Sequence, residues 1–405
     1  MTKADLIADC VLRTFEALPA KCKPRTLPNG RREWVPLAGI VLSKGPATSA
    51  TVECAALATG MKCLPQSKLG IANGNILHDW HAEILALRSF NRFLIDDCAH
   101  LVSKGRDEDG RWVSWRPEGS SDEQGQLFQL QDGVEIHMYC SEAPCGDASM
   151  ELTMAEQTDA TPWERQQYVG EDGLLGRGNF DQLGIVRRKP SRPDAPQSLS
   201  KSCSDKLALK QCTGVLSGLA TILLHPGNTF IASLILPEDQ VVSSAVQRSF
   251  SASGRMAPLE EERYKKACNQ YGYRFQPFEI QTTTKTFDFC KPAKDCQSVP
   301  SNLSVMYTPQ CQEILINGVL QGRKQTDPRG ASCVSRRRMW ESVNDIIRST
   351  GTSAAAEVLS VQNYTELKQH PLLEGRELVK RDVRSTGLQG WKQNFGDDFT
   401  IQDLG

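Results

Sequence analysis

The feature that most restricts the fold of this chain is an alternation of short apolar segments with long helical ones through its first 240 residues. "WVPLAGIVLS", "TVECAALATGMKCLP", "GVEIHMYC" and "TFIASLILP" are short, rich in apolar and β-branched residues, and typical of strands. "HAEILALRSFNRFLI" and "SDKLALKQCTGVLSGLATILL" have the spacing and length of buried helices. This alternation predicts an α/β layered core.

The length of 405 residues exceeds one average domain and fits either a single large α/β domain or two close-packed halves. Apolar residues make up 39% of the 405 residues and charged residues 23%, which is ordinary for a globular protein with a core. We expect a single domain over 1–405, with a core in 1–240 and a C-terminal half in 241–405. The polar stretch 96–131 is predicted to be a loop or insertion.

Charge and cysteine content suggest the compartment and the kind of partner. Fourteen irregularly spaced cysteines favour an intracellular protein with reduced thiols, in the cytoplasm or nucleus. Asp5, Asp9 and Glu16 interrupt the apolar pattern at the N-terminus, so we expect neither a signal peptide nor a membrane span. The formal net charge of −1 means that any RNA site would depend on local basic clusters.

Two motifs resemble the halves of a zinc deaminase signature, H-x-E followed by P-C-x-x-C. His81 and Glu83 supply the first half, and Pro144 with Cys145 begins the second. The last cysteine of the signature is missing, because Ala148 stands at its position. A zinc site would therefore need a third protein ligand from elsewhere in the chain.

Three predicted helix N-termini carry atoms that could bind such a metal. His81 stands where a helical pattern begins, Cys145 follows a proline that suits a first turn, and Cys203 directly precedes a helix-start signal. A helix N-terminus stabilises a thiolate, the form of cysteine that binds metals. Together they could form a His-Cys-Cys site with a fourth position open to water. Alternatively, H-x-E occurs by chance and the cysteines are small buried apolar residues.

The order of these motifs resembles the catalytic domain of the adenosine deaminases that act on RNA. "HAEILALRSFNRFL", "APCGDASM" and "SKSCSDKLALKQCTGVLSG" follow one another as in that family, where an S-C-S-D-K segment supplies the third zinc ligand. "WVPLAGIVLS", "GMKCLP", "RRKPSRPDAPQ" and "INGVLQG" are most similar to its eukaryotic tRNA-specific branch, and the resemblance covers nearly the whole chain. We expect no double-stranded RNA-binding domain before it.

The resemblance implies both a fold and a reaction. The fold is an α/β, three-layer, cytidine-deaminase-like core with a mixed sheet and helices on both faces, extended by a C-terminal helical half. Zinc would be held by His81, Cys145 and Cys203. Glu83 would shuttle the proton while water replaces the amino group at C6 of adenine, giving inosine.

Relatives in the family also bury inositol hexakisphosphate beneath the active site. The matching positions here are Arg88, Lys206, Arg323, Tyr364, Lys368, Lys380 and Trp391. A polyanion would explain cations on otherwise apolar helices, although each could instead extend to the surface. By the same resemblance, Asp79 and Lys206 would link the metal site to the polyphosphate. Leu87 and Leu209 replace arginines of the messenger-editing enzymes, so some phosphate contacts differ.

The implied substrate is the adenosine at position 37 of tRNA-Ala, next to the anticodon. An unpaired loop base costs less to extrude than a base in a duplex. No protein partner is evident. The candidate RNA contacts are basic residues near the predicted pocket, in a proline-rich loop and near the C-terminus: Lys62, Arg187, Arg188, Lys189, Arg192, Arg336, Arg337 and Arg338.

Three other functions remain open from the sequence. The chain could deaminate adenosine in double-stranded RNA, or a free nucleoside, although its length argues against the latter. It could also be a catalytically silent RNA-binding protein that retains zinc for structure. Glu83 argues against the silent form, because such proteins typically lose the acid that moves the proton.

Overall fold

The structure, a computed structural model, describes residues 2–45, 50–106, 110–117, 125–156, 174–175, 182–189, 195–261, 270–292, 297–351 and 357–401. Its strands are β1 (Arg32–Trp34), β2 (Leu37–Lys44), β3 (Thr51–Thr59), β4 (Val113–Trp115), β5 (Phe128–Leu130), β6 (Val134–Cys140), β7 (Leu174–Leu175), β8 (Arg187–Arg188), β9 (Ile231–Pro237), β10 (Glu279–Thr283), β11 (Ser298–Pro300), β12 (Ser304–Thr308), β13 (Cys311–Ile316) and β14 (Val319–Leu320). Its α-helices are α1 (Lys3–Glu16), α2 (Ala82–Lys104), α3 (Met150–Glu156), α4 (Cys203–Thr213), α5 (Gly218–Leu223), α6 (Ser243–Phe250), α7 (Arg336–Thr350), α8 (Tyr364–Gln369) and α9 (Glu374–Ser385).

A mixed sheet of eight strands forms the centre, in the order β10-β9-β6-β2-β3-β12-β13-β14. The pairs β6–β9 and β9–β10 are parallel, and the remaining pairs are antiparallel. This confirms the predicted α/β class and mixed sheet. The division at residue 240 does not separate core from extension, because β10, β12, β13 and β14 all belong to this sheet. The C-terminal half therefore contributes strands as well as helices.

Helices cover both faces of the sheet, as the apolar strands require. Successive side chains of a strand point to opposite faces. On β2, Ile40 and Leu42 belong to a large buried cluster with α2, whereas Val41 belongs to a smaller cluster with α1. Strands buried on both faces read as continuous apolar runs, which is the pattern of "LAGIVL".

The polar stretch 96–131 contains more regular structure than predicted. Helix α2 continues to Lys104, because Cys98 and Leu101 extend its buried face and Arg92 pairs with Asp96 one turn later at 2.8 Å. Strands β4 and β5 then pair antiparallel. Within the described ranges, no helix has the length and apolarity needed to span a bilayer.

Candidate metal and catalytic site

The start of α2 is held against the end of β3. His81 is the N-cap of α2, and the backbone N–H of Ala82 donates to the carbonyl of Gly60 at 2.8 Å. Gly60 has a φ of +145°, and a Cβ there would lie 2.1 Å from the carbonyl oxygen of Trp80. Only glycine allows this close approach. The predicted position of His81 at a helix tip, with Glu83 in the first turn, is confirmed.

The two cysteines meet at the start of α4. Ser202 caps this helix by accepting a hydrogen bond from the backbone of Asp205 at 3.1 Å, and Cys203 is its first residue. The backbone N–H of Cys203 donates to Sγ of Cys145 at 3.3 Å, and that of Ser204 donates to the Cys145 carbonyl at 3.0 Å. Cys145 itself lies in the turn before a short 3₁₀ helix, Asp147–Ser149, and not at the tip of an α-helix.

The predicted ligands are neighbours but do not form a fully compact set. Among the residues that the structure describes, the donor atoms of His81, Cys145 and Cys203 are not all within 4.8 Å of one another. A shared ion would therefore draw these side chains closer together.

Asp79 orients the histidine and connects it to two lysines. One carboxylate oxygen lies 2.9 Å from Nδ1 of His81, and the other accepts hydrogen bonds from Lys189 at 2.8 Å and from Ser200 at 2.6 Å. Lys206 also donates to this second oxygen. The lysines hold the pKa of the buried Asp79 carboxyl well below its usual range despite its burial. A carboxylate on Nδ1 fixes the imidazole and leaves Nε2 to face a metal.

Lys189 has a different place from the one predicted. Lys189 is 4% exposed, and its ammonium group donates to Sγ of Cys203 at 3.2 Å as well as to Asp79. Arg187 is 1% exposed, and its backbone N–H donates to Asp205. These burials contradict the prediction that Arg187 and Lys189 contact RNA. The basic, proline-rich composition suggested an exposed loop, but β8 runs through the interior beside α4.

Glu83 lies among these groups. Its side chain is 8% exposed, and burial, together with the nearby Cys145 sulfur, raises its pKa. The hydrogen bond from Cys203, with the charges of Lys189 and His81, lowers the pKa of Cys145 well below its ordinary value. The site therefore favours a thiolate next to a carboxyl group that can exchange a proton.

A second group of cations, of which Lys201 is buried and the others are half-buried, surrounds two aromatic rings. Arg336 and Lys368 lie 5.2 and 5.1 Å from the ring centroid of Tyr364, and Lys201 and Arg384 lie 5.5 and 5.3 Å from that of Trp391. Four polyphosphate candidates, Arg88, Lys206, Lys368 and Lys380, are half-buried. In contrast, Arg323 is exposed on a surface turn, where it pairs with Asp327 at 3.6 Å.

These cations destabilise one another. Burial, followed by the charges of Lys206, Arg384 and Arg188, lowers the pKa of Lys201 to about 7. Burial and Arg376 lower the pKa of Lys380 to about 8. The Nε atoms of Arg188 and Arg384 are buried without a hydrogen-bond acceptor among the described residues. An anion bound between these cations would supply the missing acceptors and offset their mutual repulsion.

The sequence reasoning missed Lys201, Arg384 and the inward position of Arg336. Lys201 lies two residues before Cys203, within the motif that begins α4. A charged residue next to an apolar helix could have indicated that this lysine faces the interior. Arg336 was predicted to contact RNA, but it donates to Asp397 at 2.6 Å and approaches His78.

Of the other predicted RNA contacts, Lys62, Arg188 and Arg337 are half-buried and Arg338 is exposed. Arg192 lies outside the described residues.

The comparisons with known proteins agree with this geometry. Residues 56–394 match the model of the adenosine-deaminase (editase) domain. A Schizosaccharomyces pombe protein named tRNA-specific adenosine deaminase 1 is 34% identical over 98% of this chain and 96% of its own length. Proteins of the same name from Saccharomyces cerevisiae and Drosophila melanogaster are 31% and 28% identical, over 83% and 84% of this chain and 81% and 82% of their own lengths.

Proposed function

This chain belongs to the adenosine-deaminase (editase) domain family, and we propose that it converts adenosine to inosine in tRNA by zinc-dependent hydrolysis. The observation that carries the proposal is Glu83, buried in the first turn of α2 next to His81 and near two adjacent cysteines. Three proteins that match most of the chain are named tRNA-specific adenosine deaminases.

The residues fit zinc by their chemistry. One imidazole and two thiols are the donors that Zn²⁺ prefers when a fourth position stays open for catalysis. Asp79 supplies the outer hydrogen bond that metal-binding histidines commonly make. The ammonium group of Lys189 donates a hydrogen bond to the Cys203 sulfur, which would bind the ion as a thiolate. His81, Cys145 and Cys203 would hold the ion.

The side chains of the site have separate roles in the reaction. When bound, zinc lowers the pKa of water so that it attacks near neutral pH. Glu83 takes a proton from that water and delivers it to the ring nitrogen of adenine, then assists departure of ammonia. Its burial excludes competing solvent from the proton path. Asp79 and Lys189 hold His81 and Cys203 in place throughout.

For the substrate we propose the adenosine at position 37, next to the anticodon of tRNA-Ala. The names of the relatives support tRNA, and an unpaired loop base is the easier one to extrude. Lys62, Arg337 and Arg338 are the proposed RNA contacts, with Arg192 as a further candidate. We assign Arg188 to the polyanion site instead, because its Nε is buried without an acceptor among the described residues. The net charge of −1 means that binding rests on few phosphate contacts and weakens with salt. Twelve free cysteines in the described ranges support an intracellular location.

Substrate choice tests this proposal. Purified protein is incubated with a tRNA-Ala transcript, the same transcript with guanosine at position 37, a perfect RNA duplex and free adenosine. We expect inosine in the first only. Inosine in the duplex but not in tRNA would retain the chemistry and replace the substrate. A zinc-replete protein that makes no inosine from any of the four would favour the catalytically silent RNA-binding protein.

We further propose that inositol hexakisphosphate occupies the cation group around Tyr364 and Trp391. The supporting observations are the lowered pKa values of Lys201 and Lys380 and the buried arginine Nε atoms that lack acceptors. Arg336, Lys201 and Arg384 join the proposed set, whereas Arg323 does not contribute from its surface turn. Asp79 and Lys206 would couple this anion to the metal site.

If the polyanion occupies this site, the protein without it should become more stable as the pH rises. In protein stripped of the anion, Lys201 has a folded pKa of about 7, below its ordinary value of 10.5, so the unfolded chain binds more protons between these values. The free energy of unfolding should therefore rise with pH above about 7. Added inositol hexakisphosphate should stabilise the protein most at the lower pH and flatten this rise.

Urea-unfolding midpoints at about pH 7 and pH 8.5, with and without the anion, measure the effect. Lys201→Met is the matched variant, since it removes one titrating group and should make the pH dependence of the stripped protein shallower, with the contribution of Lys380 remaining. A stripped wild-type protein that is equally stable at both pH values would contradict the assignment.

A further inference from the structure

A second cluster of metal-binding side chains lies beside the middle of α2, near Arg92. Cys311, Glu313 and Cys333 each offer a ligand atom, and these atoms are all within 4.8 Å of one another. The two sulfurs are 3.1 Å apart, and Sγ of Cys333 is 3.9 Å from Sδ of Met306. Nothing in the deamination reaction uses this cluster.

The strand geometry explains why these groups converge. Cys311 and Glu313 are two residues apart on β13, so their side chains share one face of the sheet. Met306 on β12 pairs directly with Glu313 and presents its side chain to the same face. Cys333 comes from the segment that leads into α7, which packs over this face against α2. The cluster thus joins the sheet to α7.

Hydrogen bonds fix the carboxylate of Glu313. It accepts from the backbone N–H of Cys333 at 3.0 Å and from the hydroxyl of Ser332. Carboxylates that bind metals are themselves held by such outer hydrogen bonds. The remaining lone pairs of Glu313 lie beside the two sulfurs.

The charges around the cluster favour a cation. Arg92 faces the cysteines from α2, but it pairs with Asp96 at 2.8 Å and donates to Ser342 at 2.8 Å. Glu313 and Asp96 supply two negative charges against the one positive charge of Arg92.

We propose that Cys311, Cys333 and Glu313 bind a second zinc ion, which ties α7 to the edge of the sheet. Two thiolates and a carboxylate are ligands that zinc accepts, with water completing four-fold coordination at this half-buried position. The site is separate from the catalytic one, because Arg92 follows His81 by eleven residues on the same helix, a rise of about 16 Å.

The zinc content of the purified full-length chain tests the proposal. We expect two ions per chain in the wild type, one in Cys311→Ser/Cys333→Ser, one in Cys203→Ala and none in the triple variant. Cys290→Ser is the matched control and should keep two, since this half-buried free thiol belongs to no cluster of three close metal-binding side chains among the described residues. Glu313→Gln preserves the shape of the side chain and should release the second ion to a chelator at least about tenfold faster.

The outcomes separate this site from the catalytic one. A wild-type chain with a single zinc that Cys203→Ala removes would overturn the second site. A single zinc that survives Cys203→Ala but not Cys311→Ser/Cys333→Ser would support it and count against the proposed catalytic ligands. A disulfide between Cys311 and Cys333, found by peptide mapping without reductant, would also overturn the proposal.

Discussion

Replacing Glu83 with glutamine should lower the rate of inosine formation by about 10²–10⁴-fold while leaving the zinc content unchanged. The carboxyl group is the one acidic side chain that we place in contact with both the attacking water and the base. Glutamine has nearly the same shape and can accept a hydrogen bond, but it cannot carry the proton. Single-turnover rates on the tRNA-Ala transcript, with zinc measured on the same sample, separate loss of chemistry from loss of metal.

Glu135→Gln is the matched control for this experiment. Glu135 is exposed on β6, where it pairs with Lys3 at 2.7 Å, far from the described site. Its replacement should leave both the rate and the zinc content as in the wild type. A Glu83→Gln protein that retains the wild-type rate would remove Glu83 from the mechanism.

Replacing Cys203 with alanine should remove one zinc ion per chain and reduce inosine formation to background. Cys203 is fully buried as the first residue of α4, and its sulfur accepts a hydrogen bond from Lys189. Removal of the sulfur takes away one of three proposed protein ligands and leaves the Lys189 ammonium group facing a cavity. Elemental analysis and the inosine assay should therefore change together.

Cys212→Ala provides an internal comparison. Cys212 lies on the same helix and is also fully buried, but it packs in the apolar cluster. Its replacement removes the same sulfur volume and should keep zinc and activity. If Cys203→Ala behaves like Cys212→Ala, the proposed ligand set is wrong.

The parts of the fold that could be predicted were those encoded in local patterns. Continuous apolar runs indicated the central strands, and the S-C-S-D segment indicated the start of α4. The extent of α2 was underestimated, because the polar face beyond Asp96 hid the buried Cys98 and Leu101. The strands at the sheet edge, β12–β14, pair with one another as local hairpins, but the pairing of β12 with β3 that attaches them to the sheet is long-range and no local pattern specifies it.

At the site, the sequence did not show where all of the charged side chains lie. His81 and Glu83 follow from their positions at one helix tip, whereas Asp79 follows only from the family resemblance. Lys189 was expected on a basic surface loop because composition alone does not show that its ammonium group meets the buried carboxylate of Asp79. Buried lysines are rare unless paired, and the partner here lies 110 residues away.

The most direct test of the central claim is the reaction of wild-type, zinc-replete protein with the tRNA-Ala transcript in ¹⁸O-labelled water. Nucleosides from the digested product are then weighed by mass spectrometry, and the modified position is mapped. Hydrolytic deamination at the site of Glu83 predicts inosine carrying solvent ¹⁸O at position 37, and none with Glu83→Gln. Unchanged adenosine at that position, or inosine without the label, would contradict the account.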